Sequence, residues 1–125
     1  MLAYFLVIVG GAIGAGFRYQ ISSAATHNLG LAFPWGTWIV NLLGGFLMGV
    51  LAGTLAKTPG HGEWLRLFLG VGVLGGFTTF SAFSLETFNM IERGDHVLAA
   101  AYAVSSVAGA VVMLIVGREL IRVFG

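Results

Sequence analysis

The sequence predicts an all-α membrane protein: four transmembrane helices with a broken third helix, in an arrangement that allows an antiparallel homodimer. Three observations predict it. Of the 125 residues, 58% are hydrophobic and only 9% are charged, where a soluble domain carries about 25% charged residues. The apolar excess lies in long uncharged runs (1–17, 19–56, 67–85 and 97–117), and a bilayer-spanning helix needs roughly 20 mostly apolar residues. There are 20 glycines against 2 prolines, the composition of helices whose backbones approach closely inside a membrane.

The elements follow in order. The first span covers about 2–24. No Lys or Arg precedes it, and its apolar stretch runs on past the small residues where a signal peptide would be cut, so it reads as a retained helix. A polar break at Thr26-His27-Asn28, closing near Pro34, separates it from the second span, about 35–56. The segment 57–63 contains Pro59 and Gly60 and forms a turn. The third span covers about 64–91, the next turn 92–96, and the fourth span about 97–122. Residues 1–125 thus form a single transmembrane domain, with loops too short for a catalytic pocket. Gly45, Gly49 and Gly53 share one face of the second helix, as do Gly10 and Gly14 on the first and Gly72 and Gly76 on the third; this spacing is a packing signal.

Composition excludes several function classes. Soluble enzymes lack this hydropathy. The net charge of +1, without a basic cluster, excludes nucleic acid as a partner. The absence of cysteine removes disulfide and thiolate chemistry. Four spans place both termini on one side with Lys57, Arg66, Arg118 and Arg122, leaving Arg93 and Arg18 for the other. A bias of four to two is weak under the positive-inside rule, and is compatible with insertion in both orientations.

Polar groups at membrane depth are the functional candidates. Asn41 lies about six residues into the second span with Thr37 one turn before it on the same face; its amide offers two N–H donors, to an ion or to a neighbouring helix. Arg18 is the only charge in the first 56 residues; it either snorkels to the interface, or draws anions to an entry, or caps a partner helix. In the third span, Gly75-Gly76 followed by Thr78-Thr79 weakens the helix, and a break at depth exposes carbonyls that can bind a small cation. Phe80 and Phe83 share a face, as do Ser81 and Ser84. Hydroxyls donate to anions, and aromatic rings have positive edges; phenylalanine stripes also serve plain packing. Tyr102 and Ser106 share a face of the fourth span, where serines also bond back to their own helix. Glu86 comes late in the third span, where a vestibule would sit, and is the one carboxylate available at depth. An inventory of neutral donors suits an anion and a passive route.

Three strings then carry a family resemblance: Gly10-Gly11-Ala12-Ile13-Gly14-Ala15-Gly16-Phe17-Arg18-Tyr19, Gly36-Thr37-Trp38-Ile39-Val40-Asn41-Leu42-Leu43-Gly44 and Gly75-Gly76-Phe77-Thr78-Thr79-Phe80-Ser81-Ala82-Phe83. The chain resembles the Fluc-type (CrcB-like) fluoride channels, over most of its first three helices and in order. The resemblance implies a dual-topology, antiparallel homodimer with two pores in the bacterial inner membrane. It implies that Asn41 donates to fluoride, that Phe80 and Phe83 turn ring edges to the ion, and that Thr79 and Ser81 add polar contacts. It further implies that the backbone carbonyls of Gly75 and Thr78 hold a structural sodium ion. Arg18 matches the family's first-helix arginine, and Tyr102 and Ser106 are similar to its fourth-helix polar residues.

The expected function is therefore passive, selective fluoride export, not enzymatic catalysis. Fluoride is strongly hydrated, and a ladder of neutral donors replaces its water without trapping it. The alternative is a small dual-topology exporter of organic cations, which needs a carboxylate at depth beyond Glu86. A purely structural subunit would account for the glycines but not for the placement of Asn41 and the hydroxyls.

Overall fold

The computed structural model describes residues 1–60 and 62–125. Every regular element among them is helical. We label them α1 (Leu2–Leu29), α2 (Trp35–Ala56), α3 (63–77), α4 (Ser81–Glu92) and α5 (His96–Phe124). Four helical stretches are long and apolar enough to cross a membrane, α3 and α4 together making the third. The protein is a multi-pass membrane protein by this measure.

Several boundaries differ from the sequence expectation. The polar triplet Thr26-His27-Asn28 does not interrupt α1, which continues to Leu29. Asn28 lends its amide to the Ala24 carbonyl at 2.8 Å, and the helix ends only where Gly30 takes a positive φ of 85°, a conformation glycine adopts freely. His96, expected in a turn, opens α5. α3 is α-helical over Glu63–Leu65 and Gly75–Phe77 but π-helical over Arg66–Leu74. Nothing in hydrophobic periodicity announces a π-helix, and this one was not anticipated.

Gly75 and Gly76 are also helical, against the expectation that the glycine pair itself weakens the rod. The chain leaves the helix two residues later: Thr78 is extended at φ −86° and ψ 160°, and helical geometry resumes at Ser81.

The helices pack as two laminated pairs, α1 on α3 and α2 on α5. The glycine faces form the seams. A Cβ at Gly10 would lie 2.5 Å from the Phe68 carbonyl oxygen, and one at Gly45 would lie 2.6 Å from that of Ala110. Gly49 meets the Leu114 carbonyl and Gly117 meets that of Phe46 even more closely. Such approach leaves no room for any side chain, which is why small residues recur every fourth position. Outside the seams the surface is apolar: Ile8, Phe17, Val104 and Ile115 are all exposed, as expected of lipid-facing positions. The most buried side chains, Tyr102, Met90 and Val40, lie toward one end and beside the polar groups described next.

Candidate functional site

The site is organised by α2. Thr37 and Asn41, one turn apart, reach toward α4 and the break before it. The Asn41 Nδ2 donates to the Thr79 carbonyl at 3.0 Å, and the Thr79 N–H donates to Asn41 Oδ1 at 2.9 Å. One side-chain amide thus satisfies both backbone groups of a residue that has left the helical ladder, as a buried peptide requires.

This clasp has consequences for the neighbouring carbonyls. In an unbroken helix the Thr79 N–H would bond to the Gly75 carbonyl; it is given to Asn41 instead. The Ala82 N–H, the corresponding donor for Thr78, goes to Thr79 Oγ1 at 3.2 Å, which caps α4. The carbonyls of Gly75 and Thr78 therefore lose their helical donors, while the intervening Gly76 carbonyl accepts from Arg18 Nε at 3.1 Å. Thr79 Oγ1 also lies 3.3 Å from Ser81 Oγ. The Thr78 hydroxyl donates back to Leu74 at 3.0 Å.

A groove of about 410 Å³ runs beside the break, bordered by Asn41, Gly75, Thr78, Phe80, Phe83 and Ser106. Apart from Thr79, its remaining wall is apolar, from Met48 to Leu114. Phe80 is 76% exposed although it sits amid polar groups, and its ring centroid is 5.6 Å from that of Phe83. Ser106 Oγ is buried beside the groove without a hydrogen-bond partner among the described residues. A buried hydroxyl left unpaired costs free energy, and here it marks a place able to donate to something absent from the chain itself.

Thr37, Glu86 and Tyr102 form a second constellation. Glu86 accepts from Thr37 Oγ1 at 3.0 Å and from the Tyr102 hydroxyl at 2.8 Å. Tyr102 is roofed by aromatic rings: Phe33 stands edge-on at 5.3 Å and Phe83 is tilted at 5.1 Å. Thr37 and Glu86 border a separate, polar pocket of about 220 Å³ near the 30–34 loop.

The structure thus gathers Asn41, Gly75, Thr78, Thr79, Phe80, Phe83 and Ser106 around one groove, and Thr37, Glu86 and Tyr102 around one carboxylate. Ser81 stands beside Thr79. Arg18 borders neither cavity and is occupied at the break. Sequence reasoning missed two contributors. Trp38 Nε1 donates to Ser105 Oγ at 3.0 Å, pinning α2 to α5 beside Tyr102, and Phe33 covers Tyr102 from the loop. An indole that needs a partner for its N–H was the available signal for the first.

Comparison with known proteins completes the picture. A family model described as "CrcB-like protein, Camphor Resistance (CrcB)" matches residues 5–118. The chain belongs to this family. It is 53% identical over 124 residues to a protein of Novosphingobium aromaticivorans named fluoride-specific ion channel FluC, covering 98% of each chain. Proteins of the same name from Sphingopyxis alaskensis and Phenylobacterium zucineum are 49% and 54% identical over 122 and 123 residues, covering 98% of this chain and 97% of each relative.

Proposed function

We propose that this protein is a passive fluoride-selective channel that exports fluoride from the cytoplasm across a bacterial inner membrane. The observation that carries the reading is full-length identity near one half to proteins named fluoride-specific ion channels. At that similarity the donors around the groove are the natural candidates for the ion's contacts. Asn41 spends one N–H on Thr79, and its second N–H remains for the ion. Ser106 supplies an unpartnered hydroxyl, and Phe80 and Phe83 supply ring edges of positive potential. Each contact is weak and neutral, so the ion is stabilised at several places and held at none.

In this reading the working unit is an antiparallel homodimer of dual topology with two pores. The exposed Phe80 and the apolar groove give one protomer a face for a second copy. Two broken third helices then meet near the dimer axis. The donor set there fits a sodium ion: the Gly75 and Thr78 carbonyls have lost their helical donors, and sodium takes oxygen ligands of this kind. When bound, sodium supplies a fixed positive charge that lowers the electrostatic cost of a nearby anion. Asn41 keeps those carbonyls free by holding the Thr79 N–H, and Arg18 keeps the Gly76 carbonyl turned to itself.

The alternative, a dual-topology exporter of organic cations, is disfavoured. Its coupling carboxylate would have to be Glu86, and Glu86 is committed to Thr37 and Tyr102. Purified protein in liposomes loaded with fluoride and chloride, followed by ion-selective electrodes, tests the choice. Fast fluoride release with chloride retained is expected; equal release of both, or none, overturns the proposal.

A further inference from the structure

The polar pocket near the 30–34 loop has no part in the groove, and its walls differ in kind. The groove is bordered by neutral polar groups and by Met, Leu, Val and Ala, whereas this pocket adds two charged groups, Glu86 and Arg93, to Ser22, Thr26, Thr37 and Asn89. The pattern is regular. Glu86 and Asn89 fall on one face of α4, Arg93 continues that face as its C-cap, and Ser22 and Thr26 are one turn apart on α1. Glu86 lies at the inner end and is half-buried; Asn89 and Arg93 are exposed at the outer end. The first turn of α2 closes the wall, with Gly36 so near Ser22 that a Cβ would lie 2.7 Å from its Cα. Hydroxyls from α1 and α2, with an amide and two charged groups from α4 and its C-cap, around a cavity of about 220 Å³ make a space able to hold water.

The charges at this mouth are unbalanced. Glu86 is at its base, and Asp95, in the turn after α4, is paired with Arg93. Arg93 is the only Lys or Arg bordering the pocket among the described residues; the arginine expected at an entry, Arg18, is held at the break. Arg93 Nε donates to Asp95 Oδ2 at 3.2 Å, with both side chains half exposed. Its two terminal nitrogens make no hydrogen bond to the protein among the described residues. An exposed pair of this kind is weak, and the fork remains open for an anion. Without Arg93 the mouth would carry acids and no lysine or arginine.

We propose that this pocket is the water-filled outer approach by which fluoride reaches the Thr37–Glu86–Tyr102 cluster, and that Arg93, aided by the Asn89 amide, draws the anion in against the charge of Glu86. The inference rests on the fluoride-channel reading. It assigns entry to a residue that sequence reasoning did not place there. A recruiting charge at a mouth raises the local ion concentration. It therefore governs conductance when fluoride is scarce and fades when the pathway is saturated or the charge is screened.

The natural chain has no cysteine, so a single Arg93→Cys variant can be labelled cleanly. Single-channel fluoride current is recorded from this variant after reaction with a cationic or an anionic thiosulfonate reagent. Both labels sit on the same folded protein. The cationic label is expected to give several-fold more current than the anionic one at about 10 mM salt, where the screening length is about 30 Å. The difference should shrink toward none at about 1 M, where it is about 3 Å. Maximal current at saturating fluoride should be the same for both. Equal currents at low salt, a difference that ignores salt, or a larger current with the anionic label would overturn the proposal. Labelling of Asn89→Cys, read by mass, tests hydration of the pocket without reference to any ion; failure to label would also overturn it. If the unmutated protein passes no fluoride current while Asn89→Cys labels readily, the channel reading has failed and the wet pocket stands.

Discussion

Thr37 and Asn41 occupy successive turns of the same helix face, yet they do opposite things. Asn41 turns a neutral amide to the backbone of Thr79 beside an apolar groove. Thr37 turns a hydroxyl to a carboxylate beside a polar pocket. The difference teaches how desolvation sorts polar chemistry along one helix. Beside the apolar groove, an unpaired peptide group is the main cost, and an amide that donates and accepts at once removes it. One turn toward the start of the helix, a carboxylate is tolerated because two hydroxyls donate to it and a polar pocket lies beside it. The ion route proposed here runs past both.

The sharpest way to break this comparison is Asn41→Ala. It leaves the Thr79 N–H and carbonyl unpaired, at about 1–3 kcal/mol for each group, and fluoride current should fall below detection. Asn41→Asp keeps the acceptor but loses the donor, and places a charge against the anion; it should fold better than the alanine variant and conduct no better. Recovered dimer by size-exclusion chromatography and current per reconstituted channel separate the two. Next comes Gly44→Ala, three residues on from Asn41. Its Cβ would run into the Thr78 γ-methyl, an overpacking worth about 1–3 kcal/mol that should lower thermal stability and current together.

Smaller effects sharpen the other side. Tyr102→Phe and Thr37→Val each remove one donor to Glu86, for roughly 0.6–1.7 kcal/mol on the scale of interhelical bonds in membranes. The double variant should cost less or more than the sum, because both donors serve one carboxylate; strict additivity in unfolding measurements would show that they do not act together. Ser106→Ala should not lower stability, since its buried hydroxyl has no partner to lose, while reducing fluoride current several-fold. A loss of stability with current intact would remove Ser106 from the pathway.

Much of this was readable in the sequence. The spans were legible because apolar runs have a length set by the bilayer, and the seams were legible because Gly45, Gly49 and Gly53 repeat at the helical period. Asn41, Ser106 and Glu86 stood out because polar residues are rare at depth. What each would touch was not legible. That Asn41 bonds to a peptide group depends on Thr78 turning extended, and a β-branched residue after two glycines does not say at which residue a helix lets go. The π-helical stretch over Arg66–Leu74 left no trace in periodicity. The depth of Arg18 was judged on a first helix taken to end near residue 24, five residues short of Leu29; of the roles open to it, the structure shows the bond to a partner helix, at the Gly76 carbonyl.

That longer helix bears on the membrane itself. At 1.5 Å per residue, α1 with its 28 residues and α5 with its 29 are each more than 40 Å long, whereas α2 with 22 is about 33 Å. A hydrocarbon layer is about 30 Å thick. One helix of each laminated pair therefore outreaches the bilayer, and must tilt or stand its polar ends among the headgroups, at fractions of a kcal/mol per Å of mismatch. Because the seams bind long helix to shorter rod without slack, a change in acyl-chain length cannot be absorbed by one helix alone. A change in lipid thickness is expected to act on the pair together, and α1 lies directly against α3 beside the break.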